Sequence, residues 1–318
     1  MWVRLTGVHR LPRSWPVVVA TLLAIFCATS SAWAQTVAFT VAAPATTTAA
    51  GLVGDPVSQL YWLAQPPSGP TPGGDLATTV LGVNGDGSVV ARLTVATSVD
   101  VTAIAWYDKS LYLADIADPG LTRQTVTVYG VPAAAVGGDK EVPYATYPLA
   151  YPDGPHDAAA ILIRPDGRLF LITVDGRLYQ APANLSQADA TTLAFVGPVP
   201  TGVTAGLFLT QDLLAVRTAT AIVLLDANTR AATQRSSGEV PGRGLALDLS
   251  GTEFLTASSA GSGVTVAAVP IPGPAQPSPS APASAGEPGA GSRRGTQVMI
   301  LAAAVLAVVG GVLAFLRH

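Results

Sequence analysis

Between Gln35 and Ile271 the apolar positions fall into short runs of about four to seven residues, bounded by Gly, Pro, Asp and Asn. "VVARLTV", "AIAWY", "TVTVYGV", "RLFLITV", "AIVLLD" and "VTVAAV" are examples. They are rich in Val, Ile, Leu and Tyr and lack helical spacing, so they predict strands rather than helices. "NGDG" (84–87), "PDGR" (165–168) and "DANT" (226–229) predict tight hairpin connections, because Gly, Asn and Asp tolerate positive φ.

The runs group into five units. The first holds "LYWLA", "TTVLGV" and "VVARLTV". The second holds "VTAIAWYDKSLYLADIA" and "TVTVYGV", and the third is "AAAILIRPDGRLFLITVDGRLYQAP". "AGLFLTQDLLAVRTATAIVLLD" and "GLALDLSGTEFLTASSAGSGVTVAAV" are the fourth and fifth. Their starts near Ile104, Ile161, Leu207 and Leu245 are 38 to 57 residues apart, a loose version of propeller-blade spacing. At least twelve strands are too many for one β-sandwich. The expected fold is all-β, a five- or six-bladed β-propeller over residues 35–270. "TVAFTV" (36–41) should close the last blade or belong to a sixth. Leu169 and Leu178 should start strands after their Asp-Gly-Arg turns, with Arg168 and Arg177 solvated.

The two ends read differently. A basic start, the apolar run "WPVVVATLLAIFCA" (15–28) and the small residues Ala32 and Ala34 follow the order of a secretory signal peptide, residues 1–34. The only cysteine, Cys27, lies inside it, so the mature chain has no thiol and no disulfide. Residues 271–297 are rich in Pro, Ala, Ser and Gly and predict an extended linker. Residues 298–316 carry no charge, and at roughly 1.5 Å per residue they span about 28 Å, enough for one membrane helix. Residues 317–318 then form a cytoplasmic tail. The chain is expected to be exported and held at the cell membrane by a single span, with its ectodomain outside.

The chain's 20 acidic residues all lie between Asp55 and Glu287, where only 11 Lys and Arg accompany them from residue 35 to 292. So acidic an ectodomain argues against nucleic acid as a partner. There is no Gly-x-Ser-x-Gly elbow, no Gly-rich phosphate loop with its Lys and no Cys or His cluster.

Two polar stretches stand out, "LADIADPGLTRQTVTVYG" (113–130) and "YPLAYPDGPHDAAAIL" (147–162). They supply a candidate channel-side site of Asp115, Asp118, Asp153, His156 and Asp157. Asp residues beside Pro and Gly also serve as turn residues, since the carboxylate accepts from nearby backbone N–H groups. Carboxylates gathered at a channel could hold a hard cation such as Ca²⁺, with Asp115 and Asp157 as the candidate ligands, or do acid–base work.

These stretches resemble those of secreted bacterial β-propellers of the esterase-like, phytase type. Ala114, Asp115, Ile116, Arg123, Val126, Val128 and Tyr129 match the family's first motif. Tyr151, Pro152, Asp153, Gly154, Asp157, Ala158 and Ala160 match the second. The resemblance implies a propeller and a metal-assisted phosphoesterase. The chain departs from it at Asp118-Pro119-Gly120, where the family has Gly-Asp-Asn, and at Ala159, where the family has Glu. A methyl group neither ligates a metal nor moves a proton. The leading expectation is therefore a non-catalytic module that binds a cell-envelope protein or glycan, with metal-assisted hydrolysis as the alternative.

Overall fold

The computed structural model describes residues 36–42, 49–65, 77–97, 99–133, 138–237, 244–260 and 263–271. They belong to the compact unit Met1–Ala275. The expected signal peptide, the linker beyond Ile271, the apolar span and the tail lie outside the described residues.

Five sheets, antiparallel but for two strands that add in parallel, follow one another along the chain. After β1 (Thr36–Ala42), the first blade is built from β2 (Gly51–Asp55), β3 (Leu60–Ala64), β4 (Thr78–Val83) and β5 (Val89–Val95). The second has β6 (Ala103–Tyr107), β7 (Ser110–Asp115) and β8 (Val126–Pro132). Next in the chain, β9 (Gly138–Val142) turns back to pair in parallel with β5, and β10 (Ala145–Ala150) completes the second blade. The third contains β11 (Ala158–Ile163), β12 (Leu169–Thr173) and β13 (Arg177–Gln180). A short strand, β14 (Thr191–Thr192), adds to β10, and β15 (Ala194–Pro198) closes the third blade. The fourth is β16 (Val203–Phe208), β17 (Leu213–Thr218), β18 (Ala221–Asp226) and β19 (Ala232–Ser237). The fifth is β20 (Ala246–Leu247), β21 (Glu253–Ala260) and β22 (Gly263–Pro270), with β1 as its outermost strand.

This is a five-bladed β-propeller, and the first strand of the fold closes its last blade. Phe39 and Val41 alternate inward along β1, and Phe39 packs 5.2 Å from the Tyr61 ring of the first blade. The pairing gives β22 a partner along an edge that would otherwise be open.

The core is divided into five apolar clusters, one in each gap between neighbouring blades. A blade's middle strand is thus covered on both sides. That is why β3 (LYWLA) and β12 (LFLIT) are buried at every position, while β5 alternates. All three hairpins expected from sequence form. In "NGDG", Gly87 takes φ +90° and a Cβ there would meet the Thr40 carbonyl oxygen of β1, so only glycine fits.

The innermost strands β2, β6, β11, β16 and β20 are each terminal in their sheets and surround the axis. The channel between them narrows to a neck of about 10 Å³, lined by residues that include Gly51, Ala103, Ala159, Ala205 and Leu245. A Cβ on Gly51 would come within 2.7 Å of Ile104, so close approach of the first two blades requires glycine there. Below the neck, where the innermost strands end, the channel widens into a cavity of about 540 Å³.

Candidate functional site

All five sequence-selected polar residues sit on the face where the innermost strands begin, at the junction of the second and third blades. Asp115 ends β7, Asp118 lies in the β7–β8 loop, and Asp153, His156 and Asp157 lie between β10 and β11. None of them lines the neck or the wide cavity; Ala159, two residues beyond Asp157, does line the neck.

They form two networks. In the first, Arg123 Nη1 donates to Asp115 Oδ1 at 2.5 Å and to the Ala117 carbonyl at 3.2 Å. The Arg123 backbone N–H donates to Asp118 Oδ2 at 2.7 Å, and the Asp118 N–H donates to Asp157 Oδ1 at 2.9 Å. Asp118 is buried, and burial alone would raise its pKa. The N–H groups of Arg123 and Thr122, the Thr122 hydroxyl and the Arg123 charge outweigh that and hold it below the usual carboxylate range. Asp118 therefore acts as a turn residue, while Arg123 faces Asp115 and Asp157 receives a backbone donor.

The second network centres on Asp153. Arg177 Nη1 donates to its Oδ2 at 2.7 Å, and the Tyr179 hydroxyl lies 2.9 Å from both of its oxygens. His156 Nε2 lies 3.1 Å from Asp153 Oδ1 and 2.9 Å from the Tyr179 oxygen. The hydroxyl has one proton, and the carboxylate takes it. Nε2 of His156 is thus held between the Asp153 carboxylate and the Tyr179 oxygen. Burial pushes Asp153 up, but the bonds from Tyr179 and His156 prevail and hold its carboxyl below the ordinary range. Burial, opposed by Arg177 and reinforced by the Asp153 charge, pushes the Tyr179 hydroxyl up to about 12. Tyr151 packs edge-on against both His156 and Tyr179, and burial first, then the nearby Tyr179 and Asp157, raises its pKa as well.

Sequence reasoning left Arg177 solvated and assigned no role to Arg123, Tyr151 or Tyr179. Arg177 is half exposed, yet its guanidinium bridges Asp153 and Asp175, the latter at 3.1 Å. Arg168 is half exposed beside Asp166. The available signal was the Asp-Gly-Arg turn itself, which brings Arg177 onto the same face as the β10–β11 loop.

Among the described residues no three His, Cys, Asp or Glu side chains gather in a group that could hold a metal ion. Asp115 pairs with the Arg123 guanidinium at 2.5 Å. Three apolar side chains stand exposed beside the networks: Leu121, Val174 and Phe195. The Arg177 guanidinium lies 6.0 Å from the Phe195 ring.

No protein-family model matches the chain, and no curated protein matches it by sequence.

Proposed function

We propose that the chain is an exported, membrane-tethered β-propeller that works as a non-catalytic binding module at the bacterial cell surface. A cell-envelope protein or glycan is its partner. The observation that carries this reading is that every carboxylate of the polar rim is already engaged by a donor of the protein. Asp115, Asp118, Asp153 and Asp157 each already accept from a guanidinium, a hydroxyl or a backbone N–H. A hydrolase needs a carboxylate or imidazole free to take a proton or hold a metal. Carboxylates held by the protein's own donors beside exposed Leu121, Val174 and Phe195 suit contact with another surface. The relation to phytase-type propellers is one of ancestry in this reading, with the chemistry lost at Ala159.

The test has two parts. Protease added to intact cells should remove a tag placed in the propeller and spare one at the C-terminus. A photo-crosslinker at Leu121 should capture one defined envelope component, and the same probe at Asn228 should not. Phosphoester hydrolysis by the purified chain that disappears in Asp157→Asn would overturn the reading.

A further inference from the structure

The channel's two ends differ. On one side the neck, about 10 Å³, has room for about a single water. On the other the cavity of about 540 Å³ is in the range of small-molecule pockets, roughly 300–1,000 Å³. The cavity is therefore blind, with entry from the face where the innermost strands end.

Its walls are mainly apolar, with Val53, Trp106, Ile163, Leu207 and Phe208 contributed by four different blades. The one charged side chain among the lining residues is Asp248. Its carboxylate is consumed by the turn that follows, accepting from the N–H groups of Thr252 at 2.6 Å and Glu253 at 2.8 Å and from the Ser250 hydroxyl. No wall group is left to neutralise a ligand charge, and burying an unpaired charge is costly. The Trp106 ring lines the wall, while its indole Nε1 is buried away from solvent. The polar groups that face the channel are those of the backbone, since the channel-side edges of the innermost strands pair with no strand.

We propose that this mouth of the channel is a binding pocket for a neutral, largely apolar small molecule carrying an oxygen acceptor, such as an aliphatic alcohol or ester. The acceptor meets a backbone N–H on the unpaired channel-side edge of an innermost strand, and the hydrocarbon fills the space between Val53, Trp106, Ile163, Leu207 and Phe208. Such a molecule could come from a membrane lipid or from free solution. The proposal stands apart from the polar rim, which lies beyond the neck.

The test uses the full chain in lipid nanodiscs, with Trp106 fluorescence taken as the difference between the chain and its Trp106→Phe variant. ω-Bromodecanol should quench that signal saturably. Val53→Phe and Leu207→Phe each partly fill the cavity, and the one that keeps the parent's melting profile should weaken binding by about tenfold or more. ω-Bromodecanoate and a bromodecyl-ammonium should bind at least about tenfold more weakly than the alcohol. Nanodiscs made with acyl-brominated phospholipid and no added alcohol separate the sources: quenching there assigns a membrane lipid, and quenching by the alcohol alone assigns a free molecule. Quenching that never saturates in either arm, that survives both filling variants, or that charged chains reproduce equally would overturn the proposal.

Discussion

Arg177, at the start of β13, donates to Asp153 at 2.7 Å across 24 residues of chain. The contact ties the connection between the second and third blades to the middle of the third. Tyr179, two residues along the same strand and on the same side, reaches the same carboxylate from below. The side chains that looked like a reaction centre are thereby turned into a clasp between blades.

Tyr179→Phe should destabilise the propeller by about 1–2 kcal/mol, the lower part of the range for a hydrogen bond to a charged group, because Asp153 keeps part of its solvation. Urea unfolding measures this. A domain of this size should show a fall in Tm of about 2–4 °C per kcal/mol.

The same group sets an alkaline limit. The folded-state pKa of Tyr179 is raised from 10.0 to about 12, so its contribution is complete below pH 10 and is lost as pH rises through that window. The urea midpoint should fall between pH 10 and about 12, and Tyr179→Phe should remove part of that fall.

At the acid end the sign reverses. Asp118, Asp153 and Asp166 all have lowered folded-state values; Arg164 holds Asp166 down to about 2 from 3.8. Their contribution is present above the ordinary carboxylate range and is lost as pH falls through it. The urea midpoint should therefore decline as pH drops from about 4 towards 2, and Arg164→Ala should make the decline shallower.

Closure by β1 is a separate wager. Phe39 is buried between the fifth and first blades. Phe39→Ala should cost about 3–5 kcal/mol, comparable to a central core truncation despite its position on the outermost strand of its blade. A cost near zero would mean that β1 does not hold the ring shut.

The neck offers a direct probe of the family resemblance. Ala159→Glu would introduce the acid that the resemblance implies, but into a neck of about 10 Å³ whose lining includes alanines and glycines. An unpartnered carboxyl there should cost roughly 2 kcal/mol or more. Thermal unfolding of the variant checks this, and unchanged stability would show that the neck accommodates an acid.

Much of the fold is legible in the sequence because a propeller buries both sides of its inner and middle strands, leaving unbroken apolar runs such as "LFLIT" between turn residues. The five units and their hairpins follow from that, while the choice for "TVAFTV" between closing the last blade and belonging to a sixth is decided by its pairing with β22. The strands that escaped are short or exposed. "GDKEV" (Gly138–Val142) is exposed at four of its five positions, and β14 has two residues. "GLVGD" (Gly51–Asp55) carries two glycines because it lines the neck, and so does not look like a strand. The site was legible only as a set of residue types. What decides its chemistry is which donors reach the carboxylates, and these come from far along the chain: the Asp118 N–H reaches Asp157 across 39 residues. No local pattern encodes such a pairing.

Thermal unfolding of the purified chain in excess Ca²⁺ and then in EDTA bears most directly on the claim that the rim is structural. The account predicts the same Tm in both, for the parent and for Asp157→Ala alike. A Tm that rises saturably by a few degrees with Ca²⁺, as a ligand of the folded state requires, and that loses the rise in Asp157→Ala, would contradict it.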